Sequence, residues 1–126
     1  HNGRFKTFIA HCGVFNLESM YGETEEVFFS NHDFEGPYWQ TPKPKSYEQF
    51  SPHQFVKNWN TPILVIHNDK DFRVPLGQGL QAYSAAQLKG IKSRFLYFAD
   101  EGHWVTKPQN SLLWQREFFR WLKETL

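Results

Sequence analysis

Residues 61–75, TPILVIHNDKDFRVP, hold an uninterrupted apolar run, Ile63-Leu64-Val65-Ile66, between a proline and a polar cluster. A strand with one wet face alternates apolar and polar residues. A strand with no polar face must be covered on both sides, the condition of an inner strand in a parallel sheet. Downstream, Leu76, Leu80 and Tyr83 recur at helical spacing and their helix closes near Gly90. Phe95-Leu96-Tyr97-Phe98 is a second short buried strand, and Trp114, Phe118, Trp121 and Leu122 form one apolar stripe on a terminal helix. Upstream, Phe5 to Cys12 is β-tolerant and stops at Gly13, which reads as a third strand.

Between Asn16 and Phe55 the pattern is less regular. A helix is expected over Thr24 to Ser30, Gly36-Pro37 marks a turn, and Pro42 and Pro44 break anything longer. Ser51-Pro52 reads as a helix start, serine as N-cap and proline in the first turn, running to about Trp59. Strands alternating with helices predict an α/β fold, a mostly parallel sheet flanked by helices. Ligands in such sheets gather at the carboxyl ends of strands. That rule singles out the loops His67 to Pro75 and Ala99 to Trp104.

Composition narrows the function classes. With 14 Lys+Arg against 13 Asp+Glu the net charge is +1, so nucleic acid and anionic membrane are not expected as main partners. No run of 18 apolar residues provides a membrane span. The rings are in excess: 13 Phe, 5 Tyr and 5 Trp make up 18% of 126 residues. Each ring buries on the order of 150–250 Å², so this excess points to a chain that is part of something larger. Phe5, Phe8, Phe95, Tyr97 and Phe98 are expected on inner strands, Trp114, Phe118 and Trp121 over them, and Tyr21, Phe28, Phe29, Tyr38 and Trp39 at a pocket or interface.

The chemistry sits in the two singled-out loops. An acid in the first, Asp71, and an imidazole in the second, His103, are expected at neighbouring strand ends. In nucleophilic hydrolases a buried carboxylate accepts the imidazole N–H, fixes its tautomer and stabilises the imidazolium that forms when the ring takes a serine proton. The acid-then-histidine order is that of α/β-hydrolases. His11, His32 and His53 show no H-x-x-x-H or H-E-x-x-H spacing, and Asp69-Lys70-Asp71 lacks the glycine and distal glutamate of an EF-hand loop. No metal and no cofactor are expected. Cys12, the single cysteine, has no internal disulfide partner.

The segments TPILVIHNDKDFRVPLGQG and FLYFADEGHW, followed by an aromatic helix, resemble the end of the catalytic domain in the prolyl oligopeptidase family of serine peptidases. The nearest likeness is to bacterial dipeptidyl-peptidases and acylaminoacyl-peptidase-like enzymes, with their pattern H-G-x-x-D-x-x-V-P and then D/E-G-H. RFKTFIAHCGVFNLESMY more weakly resembles the segment shortly after the nucleophile. The resemblance implies that Asp71 is the triad acid and His103 the base, with His67 a strand-end imidazole bonded to nearby backbone. Tyr21, in ESMY, would wall the pocket for the residue before the scissile bond, with plain packing as its other reading. From its position alone, two residues past the acid, Arg73 is read as facing the cleft and a substrate carbonyl or carboxylate, with a solvated loop as its other reading. Glu25 and Glu26 are not matched to the glutamates that hold a substrate amine, because in the family those come from another domain.

Asn68 stands where the family usually has glycine, and Ala99 where it often has proline. The larger departure is that none of the seven serines, at positions 19, 30, 46, 51, 84, 93 and 111, lies in a G-x-S-x-G elbow. The resemblance therefore puts the elbow, and any β-propeller, upstream of His1. Residues 1–126 are then the C-terminal part of an α/β-hydrolase domain, inert alone against peptides. The resemblance implies an exported parent, periplasmic or secreted. The alternatives are an esterase or lipase-like acyl hydrolase of the same fold, and a non-catalytic module that keeps the fold without the chemistry. A cut sheet edge also makes a homodimer an expectation.

Overall fold

A computed structural model describes residues 3–126. The apolar run becomes strand β2 (Ile63–Asn68), with β1 (Phe8–His11) on one side and β3 (Ser93–Phe98) on the other. Both pairings are parallel, Phe8 opposite Ile63 and His11 opposite Ile66, then Ile63 opposite Ser93 and Asn68 opposite Phe98. All six residues of β2 are buried. Among the described residues β1 and β3 are the sheet edges.

Alternation along β2 sends successive side chains to opposite faces. Ile63 and Val65 pack against Ala82 and Ala86 of helix α4 (Leu76–Leu88), joined by Phe95 and Tyr83. Leu64 and Ile66 pack against Trp121 of helix α5 (Pro108–Thr125) and Phe98. One helix on each face is what the unbroken apolar run requires. Small residues let α4 approach closely. A Cβ added at Gly79 would stand 2.6 Å from Nδ1 and 2.9 Å from Cβ of His67, so only glycine fits where the helix crosses the end of β2.

The excursion between β1 and β2 differs from the sequence expectation. Instead of one helix over Thr24 to Ser30 there are two, α1 (Leu17–Glu23) and α2 (Val27–Asp33). Asn16 caps α1 by accepting the Glu18 N–H, and Thr24 closes it with its own N–H on the Met20 carbonyl. A four-residue helix α3 (Ser46–Gln49) follows, then a 3-10 helix over Pro52–Asn58. Proline occupies its first turn as expected, but Ser51 makes no cap. Its hydroxyl accepts the Leu17 N–H at 3.0 Å and pairs with His53 Nδ1 at 2.6 Å, so tertiary partners displaced the local one. Strand β1 is also shorter than Phe5 to Cys12. Phe5 (44% exposed) and Tyr97 (46%) do not lie inside the sheet as expected.

Beside β1, on the α4 face, an open groove of about 1130 Å³ is lined by Phe15, Phe50, Phe55, Val56, Trp59 and Ala82, among others. It lies away from the loops that carry Asp71 and His103.

Candidate active site

The carboxyl ends of β2 and β3 are continued by two loops that stay in register. Asp69 N–H donates to the Phe98 carbonyl at 2.9 Å and Lys70 N–H to the Glu101 carbonyl at 3.0 Å. The Asn68 side chain donates to the Gly102 carbonyl at 2.6 Å. These three bonds carry strand pairing past the strands and set the distance between the acid and the histidine.

Asp71 is 2% exposed. Its Oδ1 accepts the backbone N–H groups of Arg73 (3.1 Å) and Val74 (2.9 Å), an Asx-type turn that leaves Oδ2 to face His103. His103 Nδ1 lies 2.9 Å from that oxygen. A carboxylate only accepts, so Nδ1 carries the proton and Nε2 is left as a lone-pair acceptor. The His103 side chain keeps 26% of its surface open, whereas Asp71 is closed. A buried acid thus orients a reachable imidazole, the geometry of a general base.

His67 sits beneath this pair, fully buried. Its Nε2 donates to the Val74 carbonyl at 2.7 Å and lies 3.8 Å from Asp71 Oδ2. This is the bond to nearby backbone that the sequence reading expects. Burial pulls its pKa below the ordinary 6.5; the Val74 carbonyl and the Asp71 charge pull the other way, and His103 adds a smaller downward push. His67 therefore holds the turn after Asp71 as a neutral ring.

Glu101 holds the other loop. Its carboxylate accepts the Thr106 N–H at 3.1 Å, the Lys107 N–H at 2.9 Å, the Thr106 hydroxyl at 3.1 Å and the Asn110 amide at 2.8 Å. Burial alone would raise its pKa, but these four donors outweigh it and hold the carboxyl below its ordinary value. His103 is thereby framed between the Gly102 carbonyl held by Asn68 and a loop pinned to the start of α5. Glu101 was legible as a motif letter, not as this anchor.

Tyr21, 8% exposed, donates its hydroxyl to Asn31 Oδ1 at 3.0 Å and meets Trp39 edge-on at 5.3 Å and Tyr38 at 6.2 Å. Trp39 itself is 64% exposed. Arg73 is held by Glu26 at 2.7 Å, and its guanidinium lies over the Trp104 ring at 5.3 Å. Trp104 follows His103, packs edge-on against it at 5.2 Å and is 63% exposed. Tyr21 and Arg73 each support an exposed indole.

Sequence reading missed Cys12. It follows the last residue of β1 with φ of 48°, a conformation side chains rarely adopt, and its N–H donates to the Ile66 carbonyl at 2.9 Å. Its Sγ lies 3.5 Å from the His103 carbonyl and 3.8 Å from Asn68 Nδ2. Burial first, then Asp71 through hydrogen bond and charge, push the thiol pKa far upward, so it is a neutral S–H. No spacing rule joins residue 12 to 71 and 103, because the three meet only where three strands end side by side.

The whole sequence, residues 1–126, matches the model of the prolyl oligopeptidase family. It is 48% identical over 128 residues to dipeptidyl-peptidase 5 of Porphyromonas gingivalis, covering 100% of this chain and 19% of that protein. It is 45% identical over 119 residues to dipeptidyl-peptidase 5 of Schizosaccharomyces pombe, covering 94% of this chain and 17% of that protein. The chain thus spans about a fifth of the length of these curated relatives. Among solved structures, an acylaminoacyl peptidase of Pyrococcus horikoshii superposes with a TM-score of 0.87 at 22% identity, over 98% of this chain and 20% of that one. Dipeptidyl peptidase 4 of Porphyromonas gingivalis gives 0.82 at 17% identity, over 99% of this chain and 17% of that one. With these structures agreeing on an α/β-hydrolase fold and the family model spanning every residue, the chain belongs to the prolyl oligopeptidase family.

Proposed function

We propose that this chain provides the acid and the base of a Ser-Asp-His triad in a serine exopeptidase that releases dipeptides. The reading rests on the 2.9 Å contact between Asp71 and His103 at adjoining strand ends. His103 Nε2 takes the proton of a serine contributed from upstream of residue 1, while Asp71 holds the ring and balances the imidazolium. The serine oxygen attacks the scissile carbonyl and forms an acyl-enzyme. His103 returns its proton to the leaving amine, then activates a water that releases the acid. The dipeptidyl preference is taken from the names of the relatives. On this reading the upstream part of the domain covers the groove beside β1, and the 126-residue chain alone cleaves nothing. An exported parent belongs to the same reading on resemblance alone.

Tyr21 and Arg73 enter as pocket-side residues, each positioning the indole it supports, Trp39 and Trp104. In the full-length protein Asp71→Asn and His103→Ala are each expected to lower kcat on a dipeptidyl-chromophore substrate by on the order of 10⁴-fold, with KM nearly unchanged. Activity retained within tenfold in either variant overturns the assignment. An acyl-ester substrate run beside it separates peptidase from esterase. An unmutated full-length protein that cleaves neither substrate leaves the non-catalytic module.

A further inference from the structure

We propose that Cys12, Asp71 and His103 form a binding site for a thiophilic divalent cation, zinc in particular, and that its occupation switches the triad off. Metal-site spacing rules applied to the sequence find nothing here. The cluster is assembled by the sheet, and the sulfur, carboxylate oxygen and ring nitrogen of the three residues all lie within 4.8 Å of one another. Thiolate, carboxylate and imidazole are the ligand types zinc takes, with tetrahedral bonds of roughly 2.0–2.3 Å. These three would fill three of the four positions and leave the fourth for water. Binding requires Cys12 and His103 to draw inward from these separations, while Asp71 stays fixed by the N–H groups of Arg73 and Val74.

Charge favours the ion. Binding exchanges the thiol proton for the metal, which places a thiolate and a carboxylate against two positive charges and leaves the buried site neutral. A second buried group points the same way: Asn68 has no exposed surface, its Nδ2 lies 3.8 Å from the Cys12 sulfur, and its Oδ1 has no hydrogen-bond partner.

The consequence for His103 follows from its two nitrogens. The metal takes Nδ1, the nitrogen that faces Asp71, so the ring proton moves to Nε2 and the thiol proton leaves to solvent. Nε2 then donates and cannot accept a serine proton. Occupation thus replaces the Asp71–His103 hydrogen bond with two metal bonds and removes the general base without moving the fold. This consequence rests on the triad reading given above, whereas the metal site itself does not.

The test uses the full-length protein with cobalt(II) as spectroscopic probe and zinc(II) as inhibitor. Cobalt is expected to produce a thiolate-to-metal charge-transfer band that is absent from Cys12→Ser, and zinc to shield Cys12 from alkylation, read by mass spectrometry on the unmutated protein. Zinc is expected to inhibit peptide cleavage with a half-inhibiting concentration at least tenfold lower in the parent than in Cys12→Ser. No difference band together with unshielded Cys12 overturns the site. A band and shielding with equal inhibition of parent and variant overturn the switch. A protein that binds cobalt through Cys12 but cleaves no peptide or ester overturns the triad reading and leaves the metal site standing.

Discussion

Across residues 61–107 every side chain of β2 is buried, those of 63–66 between α4 and α5, whereas across 13–60 a few side chains each reach a distant backbone atom. In the second region Gln78 Oε1 accepts the Phe15 and Asn16 N–H groups, Tyr47 donates to the Gly36 carbonyl, Ser46 to the Phe34 carbonyl and Thr24 to the Arg73 carbonyl. Helix α2 buries only Ser30, and the 3-10 helix buries nothing. The first region is held by continuous apolar burial, the second by separate polar ties around a smaller buried set, Leu17, Met20, Tyr21 and Tyr47. Asp71, His103 and Glu101 sit at the edge of the first, where backbone bonds between the loops continue the pairing of β2 with β3. The exposed rings Phe28, Phe29 and Trp39 belong to the second.

That contrast can be broken at defined points. Glu101→Gln keeps one oxygen to accept two of the four donors and turns an NH2 donor toward the other two, so it should loosen the loop carrying His103. An ångström of misplacement costs on the order of 10²-fold in rate, so kcat/KM of the full-length protein is expected to fall by about that factor while the sheet stays folded. Unchanged kinetics would mean that β3 alone sets His103. Gly79→Ala presses a methyl onto His67 and is expected to destabilise by about 2 kcal/mol, the usual range for overpacking. It should show as faster amide exchange in 63–68 and 76–82, with 27–50 unaffected.

Tyr47→Phe removes one buried hydroxyl bond of 2.8 Å, worth about 1 kcal/mol. Exchange in 34–50 should rise about fivefold with none in β2. Spread of the effect into the sheet would show the two regions to be one cooperative unit. The last effect is that of pH. His67 stays neutral in the fold because burial lowers its pKa, while the unfolded chain takes a proton below the ordinary 6.5. Stability is therefore full above 6.5 and falls as pH drops below it, by at most about 1.4 kcal/mol per pH unit. The urea midpoint measured from pH 7.5 to 5.5 should show this slope, and His67→Gln should reduce it, the remainder belonging to His11, whose pKa burial also lowers.

The same contrast explains what could be read in advance. Thr61 to Pro75 was legible because an inner parallel strand leaves a signature that needs no neighbours: an apolar run, then polar residues where it ends. The stripe of α5 was legible by period. Helix α1 was not, because it depends on Asn16 as its cap, and neither was the later start of α2, at Val27 instead of Thr24, because Thr24 closes α1 and reaches the Arg73 carbonyl, 49 residues away. Ser51 looked like a cap and was taken instead by the Leu17 N–H.

By itself, then, the sequence determined the α/β class, the strand order of the C-terminal half and the two loops whose ends carry Asp71 and His103, because hydrophobic period and turn chemistry are local. Only the tertiary structure decided that Asp71 Oδ2 faces His103 while Oδ1 is held by backbone, that Glu101 anchors the second loop and that Cys12 closes on the same point. Those contacts join the ends of three strands. Parallel pairing brings together positions that no spacing along the chain relates.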